Sequence, residues 1–393
     1  MTSYDFDRII DRTGTGCLKY DFHAARGKAP DLTPLWVADM DFALPAETLD
    51  TLKQRVDHGI FGYTQPLQPY YDAVLGWIEQ HQHWTPQQEW LVTTPGVVFA
   101  LACAVRAFTQ PGAAVLIQQP VYYPFKNVIV DNGRTLVNAP LSYADGAYSI
   151  DFAAFEEAIV ESGAKLFILC NPHNPASRVW TRDELSQIAR ICTAHDVIVV
   201  SDEIHADFIW GERAFCSYGS LGEEAGDQWV VCTAPSKSFN IAGLQISNIF
   251  IPNPELRRRF RSARGATGYD EPSTLGLAAT QACYTLGQEW FAQACDYIYA
   301  NICFMRDYLA ARAPRLRMVE CQGTYLTWVD CTALGLDAGG IRELVEDKAR
   351  LWLDLGDMFG QDGAGFIRFN VACPRSTLER ALEQLCDAVS EVR

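Results

Sequence analysis

Short apolar runs that end in polar residues recur through the middle of this chain, and they constrain the fold more than any other feature. Ala114–Ile117, Leu166–Cys170, Val197–Ser201, Trp229–Cys232 and Asn248–Ile251 read as short buried strands. Helical patterns lie between them. The clearest opens with Thr181-Arg-Asp-Glu184, a capping box, and continues with apolar residues at Leu185, Ile188, Ala189 and Cys192. Alternation of this kind predicts an α/β fold, a mostly parallel sheet with helices on both faces. Ligands of such sheets sit beyond the carboxyl ends of the strands. The polar residues that close these runs are therefore the first candidates for chemistry.

One of them is a lysine. Trp229–Cys232 runs into Thr233-Ala-Pro-Ser-Lys-Ser-Phe-Asn240. A lysine at the end of a buried strand is unfavourable unless something uses it, because burial disfavours the ammonium form. One chemistry that needs such a lysine is a Schiff base with an aldehyde. Thr233 and Ser236 beside Lys237 offer hydroxyls to a phosphate. An aldehyde together with a phosphate suggests pyridoxal 5′-phosphate. Upstream, Leu166–Cys170 leads into Asn171-Pro-His-Asn-Pro175, and Val197–Ser201 leads into Asp202-Glu-Ile-His205. Asn174 precedes Asp202 by 28 residues, and Asp202 precedes Lys237 by 35. The roles these side chains can take are distinct. Asp202 can keep a pyridinium nitrogen protonated, Asn174 can donate to a phenolic oxygen, and Lys237 can carry the aldehyde.

With these residues in this order, the chain resembles the pyridoxal-phosphate-dependent transferases of fold type I, in the class I/II aminotransferase group. Pro34-Leu-Trp-Val-Ala-Asp-Met-Asp-Phe42, His58-Gly-Ile-Phe-Gly-Tyr63, Asn171-Pro-His-Asn-Pro175, Ser201-Asp-Glu-Ile-His205, Thr233–Asn240 and Gly365-Phe-Ile-Arg-Phe-Asn370 narrow the likeness. They resemble the cystathionine β-lyases of the MalY/PatB type, also called cysteine-S-conjugate β-lyases. The resemblance implies a large domain built on a mostly parallel mixed sheet flanked by helices, with a smaller α+β domain. We place the large domain at 46–287 and the small one at 1–45 with 288–393. The implied reaction is β-elimination from an S-substituted cysteine, giving a thiol, pyruvate and ammonia. An aminotransferase is the alternative within enzymes, and a regulatory binding protein the alternative outside them.

The same resemblance extends to further residues. Gly96, Val97 and Val98, in a glycine turn that opens a helical pattern, would receive the phosphate on free backbone N–H groups. Tyr122, in Pro120-Val-Tyr-Tyr-Pro124, would stack on the cofactor ring, with Tyr123 the lesser candidate. His205 stands where many aminotransferases carry tyrosine, and reads either as a cofactor-side residue or as a histidine packed beside the site. Arg368 is assigned to the substrate α-carboxylate, for which a planar two-donor fork is suited. Trp36, Ala38 and Asp39 would line the substrate entrance. Tyr63 would reach the phosphate of a neighbouring subunit, which implies a homodimer. Two positions depart from the family pattern. Ala176-Ser177 replace a usual glycine, and Gln245 stands where typical aminotransferases carry a phosphate-binding arginine.

Composition bounds the partners. The 393 residues carry 32 Lys plus Arg against 48 Asp plus Glu, a formal charge of −16. That argues against nucleic acid or an anionic membrane, both of which call for a basic surface. The family resemblance implies an amino acid as the small-molecule partner. Arg257, Arg258, Arg259 and Arg261 read as one solvated helix face. The 13 cysteines include no Cys-x-x-Cys pair, so they predict free thiols in a reducing compartment and no zinc site. With no membrane-length apolar stretch and no signal-like start, the expectation is a cytoplasmic protein. A long helical region is expected from about Ser273 to Ala313, then a strand at Thr324–Val329. Helices near 340–350 and 377–391 follow, with a second capping box at Ser376-Thr-Leu-Glu379.

Overall fold

Strands that are buried on both faces read as unbroken apolar runs, and the central sheet of this protein is made of such strands. In the computed structural model, which describes residues 3–392, it has seven strands. They are β1 (Leu91–Thr94), β2 (Ala114–Ile117), β3 (Thr135–Asn138), β4 (Leu166–Cys170), β5 (Ile198–Asp202), β6 (Trp229–Thr233) and β7 (Ser247–Phe250). Their spatial order is β1-β7-β6-β5-β4-β2-β3. Only β7 runs against its two neighbours; the other adjacent pairs are parallel. Along β4, Phe167 and Leu169 enter the core on one face, while Leu166, Ile168 and Cys170 enter the core on the other. Both cores are roofed by helices, as the crossovers of a parallel sheet require.

A third core draws on both ends of the chain and also takes in Trp77, Phe208 and Phe239 from its middle. Phe6, Leu35, Met40 and Phe42 pack with Ile298 and Met305 of the helix Gln288–Arg312 and with Leu378 and Leu385 of the helix Arg375–Ser390. Beside them lies a four-stranded antiparallel sheet, with β8 (Arg317–Met318), β9 (Leu326–Asp330), β10 (Asp354–Leu355) and β11 (Phe366–Asn370) in the order β8-β9-β11-β10. Thr33–Pro34 pairs in parallel with Leu351–Trp352 and ties the N-terminal arm to this unit.

Local signals were resolved unevenly. The box at Thr181 forms in both directions: Glu184 N–H donates to Thr181 Oγ1 at 3.2 Å, and Thr181 N–H donates to Glu184 Oε2 at 2.8 Å. The expected box at Ser376 does not form. That helix begins at Arg375 behind Pro374, so Ser376 already lies in its first turn. The long helical region is two helices, Thr274–Leu286 and Gln288–Arg312, broken at Gly287. The arginine cluster is not one solvated face. Arg258 is exposed and pairs with Glu255, but Arg259 turns inward and donates twice to Ala107 O, at the end of the helix Val97–Phe108. A cation at a helix C-terminus is favoured by its free carbonyls and dipole.

Candidate active site

Parallel pairing brings the separated motifs together. Cys170 at the end of β4 lies opposite Asp202 at the end of β5, and Asp202 lies opposite Cys232 near the end of β6. The loop after β4 therefore delivers Asn174, β5 delivers Asp202, and the short helix Pro235–Ser238 after β6 delivers Lys237, all at one sheet edge. β1 enters the same edge and passes through Gly96 into the helix Val97–Phe108. Between them is a cavity of about 350 Å³, whose wall includes Gly96, Val97, Val98, Tyr122, Asn174, Asp202, His205, Ser236, Lys237, Gln245 and Ala38.

The electrostatics of this cavity are unusual for a resting protein interior. Asp202 is 5% exposed, and the one hydrogen bond given to its carboxylate comes from Ile204 N–H at 3.2 Å. Burial pushes its carboxyl up to about 7, against the pull of that N–H and of Lys237. Burial pushes the Lys237 amine down to about 8, against the pull of Asp39 and Asp202. Its Nζ donates to Ala38 O at 2.6 Å. His205 is driven well below the usual imidazole range, first by burial and then by Lys237 and Arg368, and its Nδ1 has no hydrogen-bond partner. It stands in the cavity wall as a neutral ring, edge-on to Tyr325.

Arg368 stands behind the wall. Its Nη1 donates to Asn174 Oδ1 at 2.9 Å, and its Nη2 donates to Trp36 O at 2.9 Å and to Asp354. With its oxygen engaged, Asn174 has its NH₂ left to present to the cavity. Tyr122 covers one side of the cavity, and its phenol is held protonated by burial. The helix that starts at Val97 has no side-chain cap, so its first N–H groups remain available at the cavity. A β-carbon built on Gly96 would meet no protein atom within 4 Å.

Some expected residues lie elsewhere. Thr233 is off the wall: it ends β6, and its hydroxyl donates to Asn248 O at 3.1 Å across the antiparallel pair. Trp36 reaches the site only through its carbonyl, while its ring stacks on Trp352 at 4.6 Å. Asp39 pairs with Arg12 at 2.6 Å and touches the site only through its charge on Lys237. Tyr63 is 95% exposed, in a segment without regular structure, and does not meet the cavity of its own chain. Two functional neighbours escaped the sequence reading. Asp354, the counter-ion of Arg368, is a lone acid in the apolar run Leu351–Leu355. Glu203 is buried beside Asp202 and accepts from Ser201 Oγ, Ser217 Oγ and Tyr218 N–H, which clamps the loop after β5. For Glu203 the available signal was an acid at the end of an apolar strand; for Asp354 it was a lone acid inside an apolar run.

The donor set fits pyridoxal 5′-phosphate. A buried carboxylate lacking a close cation suits a pyridinium N–H, an amide NH₂ suits a phenolic oxygen, and an amine poised near 8 suits an aldehyde. The uncapped helix N-terminus and Ser236 suit a phosphate. Among the described residues no group of three or more His, Cys, Asp or Glu side chains could hold a metal ion.

Comparison with known proteins gives a consistent set of relatives. A profile of the family described as aminotransferase class I and II matches residues 32–385. Cystathionine β-lyase PatB of Bacillus subtilis is 39% identical over 386 residues, covering 98% of this chain and 100% of that one. Among solved structures, cystalysin from Treponema denticola, which contains a pyridoxal 5′-phosphate cofactor, superposes with a TM-score of 0.96 at 37% identity and covers 100% of both chains. The pyridoxal-phosphate-bound C–S lyase of Staphylococcus hominis superposes with a TM-score of 0.93 at 31% identity and covers 99% of both.

Proposed function

This chain belongs to the class I and II aminotransferase family, and from that membership we propose that it is a pyridoxal-phosphate-dependent carbon–sulfur β-lyase acting on cystathionine or related S-substituted cysteines. The observation that carries the reading is the single cavity in which Lys237, Asp202 and Asn174 converge beneath an uncapped helix N-terminus. The relatives named for cystathionine β-lyase and C–S lyase activity support the choice of elimination over amino transfer.

The bound cofactor supplies an aldehyde that condenses with amines and a ring that withdraws electrons from the substrate Cα. In our reading Asp202 keeps the ring nitrogen protonated, and Asn174 donates its NH₂ to the phenolic oxygen. Gly96, Val97, Val98 and Ser236 hold the phosphate. Tyr122, in the cavity wall, would cover the ring and limit water. His205, neutral and buried in the cavity wall, would stand on the cofactor side of the site without carrying charge. Arg368 takes the substrate α-carboxylate, and Asp354 and Asn174 fix its orientation. The Lys237 amine, lowered toward neutral pH, removes the Cα proton as general base. Thiolate leaves from Cβ, and with one water consumed the products are thiol, pyruvate and ammonia.

We also propose a homodimer in which Tyr63 serves the partner's phosphate site. Its 95% exposure, beside exposed Ile60, Phe61 and Leu67, supports an interface there. All 13 cysteines are free, which suits the reducing cytoplasm, and no helix among the described residues is long and apolar enough to cross a membrane. Borohydride treatment of the purified protein is expected to fix the cofactor to the peptide holding Lys237, and an S-substituted cysteine is expected to release thiol. A labelled peptide without Lys237, or no thiol from any conjugate, would overturn the reading.

A further inference from the structure

Among the described residues Arg26 has no ion-pair partner, and it is held in place near the site. A 3₁₀ turn, Ala24–Arg26, closes on Gly27, which takes the left-handed conformation (φ 65°) and returns its N–H to Ala24 O. This turn sets the guanidinium over the ring of Trp36, with Cζ 4.7 Å from the ring centroid. Trp36 is itself fixed. Its ring stacks on Trp352 at 4.6 Å with an interplanar angle of 14°, and its carbonyl accepts from Arg368 Nη2 at 2.9 Å. Stacking on an aromatic face holds a guanidinium while leaving its five in-plane N–H donors free. Among the described residues the Arg26 side chain makes no ion pair and no hydrogen bond. Its neighbour Lys28 is paired with Glu346 at 2.5 Å.

The position of Arg26 relative to the chemistry follows from Trp36, whose ring carries the guanidinium and whose carbonyl accepts from Arg368. Its charge also reaches Asp354, which is bound to Arg368, and Tyr123, whose ring lies 5.4 Å from that of Tyr122 in the cavity wall. The Arg368 charge is already balanced by Asp354. In the reading above Arg368 takes the α-carboxylate, and with its charge shared with Asp354 a second carboxylate needs another cation. Arg26 is exposed while Arg368 is buried, so a leaving group that runs from Arg368 toward solvent past Trp36 would meet it. In a chain of net charge −16, an unpaired cation at that position is a selective feature of the local field.

We propose that Arg26 is a specificity-determining residue that binds a carboxylate carried on the sulfur substituent, so that the preferred substrates are S-substituted cysteines with an acidic leaving group. This rests on the lyase reading above. The test compares S-(2-carboxyethyl)cysteine with S-propylcysteine, which lacks the charge at similar size, and with the cationic S-(2-aminoethyl)cysteine. Arg26→Ala should raise KM for the carboxyethyl conjugate about fivefold, the worth of one exposed ion pair, with kcat unchanged. The propyl conjugate should be unaffected. Arg26→Glu should reverse the preference in favour of the aminoethyl conjugate, and added salt should erase the difference in the native protein. Equal effects on the carboxyethyl and propyl conjugates, or no effect on either, would overturn the proposal. Binding to the Lys237→Ala protein, followed by tryptophan fluorescence, should show the same split without turnover. If the native protein cleaves none of the conjugates, the lyase reading fails. The binding split then decides the role of Arg26 separately, and its absence overturns it.

Discussion

At the scale of single residues the account turns on buried charge. Asp202 is held at about 7 by burial, so the folded protein binds its proton across a window, from about 4 to about 7, in which the unfolded chain has released it. Stability from this group is therefore lost as pH rises through that window. Asp202→Asn removes the loss. The cofactor-free variant should gain about 2 kcal/mol over the native protein at pH 8 and much less at pH 5, measured by urea denaturation. The same variant, loaded with cofactor, should lose about 100-fold in elimination, because the charge developing at Cα loses its sink. A variant that is neither more stable when empty nor slower when loaded would contradict the assignment. Lys237, Asp202 and Asn174 could be picked out of the sequence because each lies at or a few residues past the end of an apolar run. Thr233 could not be placed, since nothing in the chain tells whether a hydroxyl at a strand end faces a ligand or a neighbouring carbonyl; here it faces Asn248 O. Asp354 was hidden because its partner, Arg368, is adjacent only through the pairing of β10 with β11.

Elements were legible where the local code is self-contained. The capping box at Thr181 is one, since both partners lie within a single turn. The five short apolar runs of the middle are another, and their ends shifted by a residue at most, whereas the strand expected at Thr324–Val329 starts two residues later and Leu91–Thr94 and Thr135–Asn138 were not expected. The box at Ser376 shows the limit, because the preceding Pro374 starts the helix early and the same four residues lose their meaning. Ser177 shows a different limit. It adopts φ 55°, the left-handed region where glycine is favoured, and its hydroxyl donates to Leu326 O at 2.8 Å. That bond to a distant strand offsets the conformational cost and is invisible in the loop sequence. Gly287 breaks the long helical region for a reason equally non-local. A β-carbon there would lie 2.5 Å from Phe239 Cε1 and 2.6 Å from Cys283 O. Phe239 is two residues beyond Lys237. Gly287→Ala should therefore cost about 1–3 kcal/mol in thermal or urea unfolding, the range for overpacking a filled core. It should also shift the absorbance of the bound cofactor, because Phe239 must move. Unchanged stability and spectrum would show that the helices can part without disturbing the lysine.

Across the whole molecule, the sheet order puts one working edge between the central sheet and the unit formed by the chain ends, and Arg368 crosses between them to reach Asn174. Alternation in the sequence predicts the parallel sheet, but the joining of residues 3–45 to the C-terminal unit depends on contacts such as Thr33–Leu351, more than 300 residues apart. Only the family resemblance made that joining legible. Assembly adds a further test. If Tyr63 completes the partner's site, mixing a Lys237→Ala protein with a crippled Tyr63→Phe protein should restore part of the activity in hybrid dimers, each with one intact site. No recovery despite proven subunit exchange would argue against a contribution in trans. The most direct test of the account is a product balance. With cystathionine or another cleaved S-substituted cysteine and no keto-acid acceptor, thiol, pyruvate and ammonia should appear in equal amounts, and 2-oxoglutarate should not speed the reaction. Turnover that requires the acceptor and releases negligible thiol would contradict the account and identify an aminotransferase.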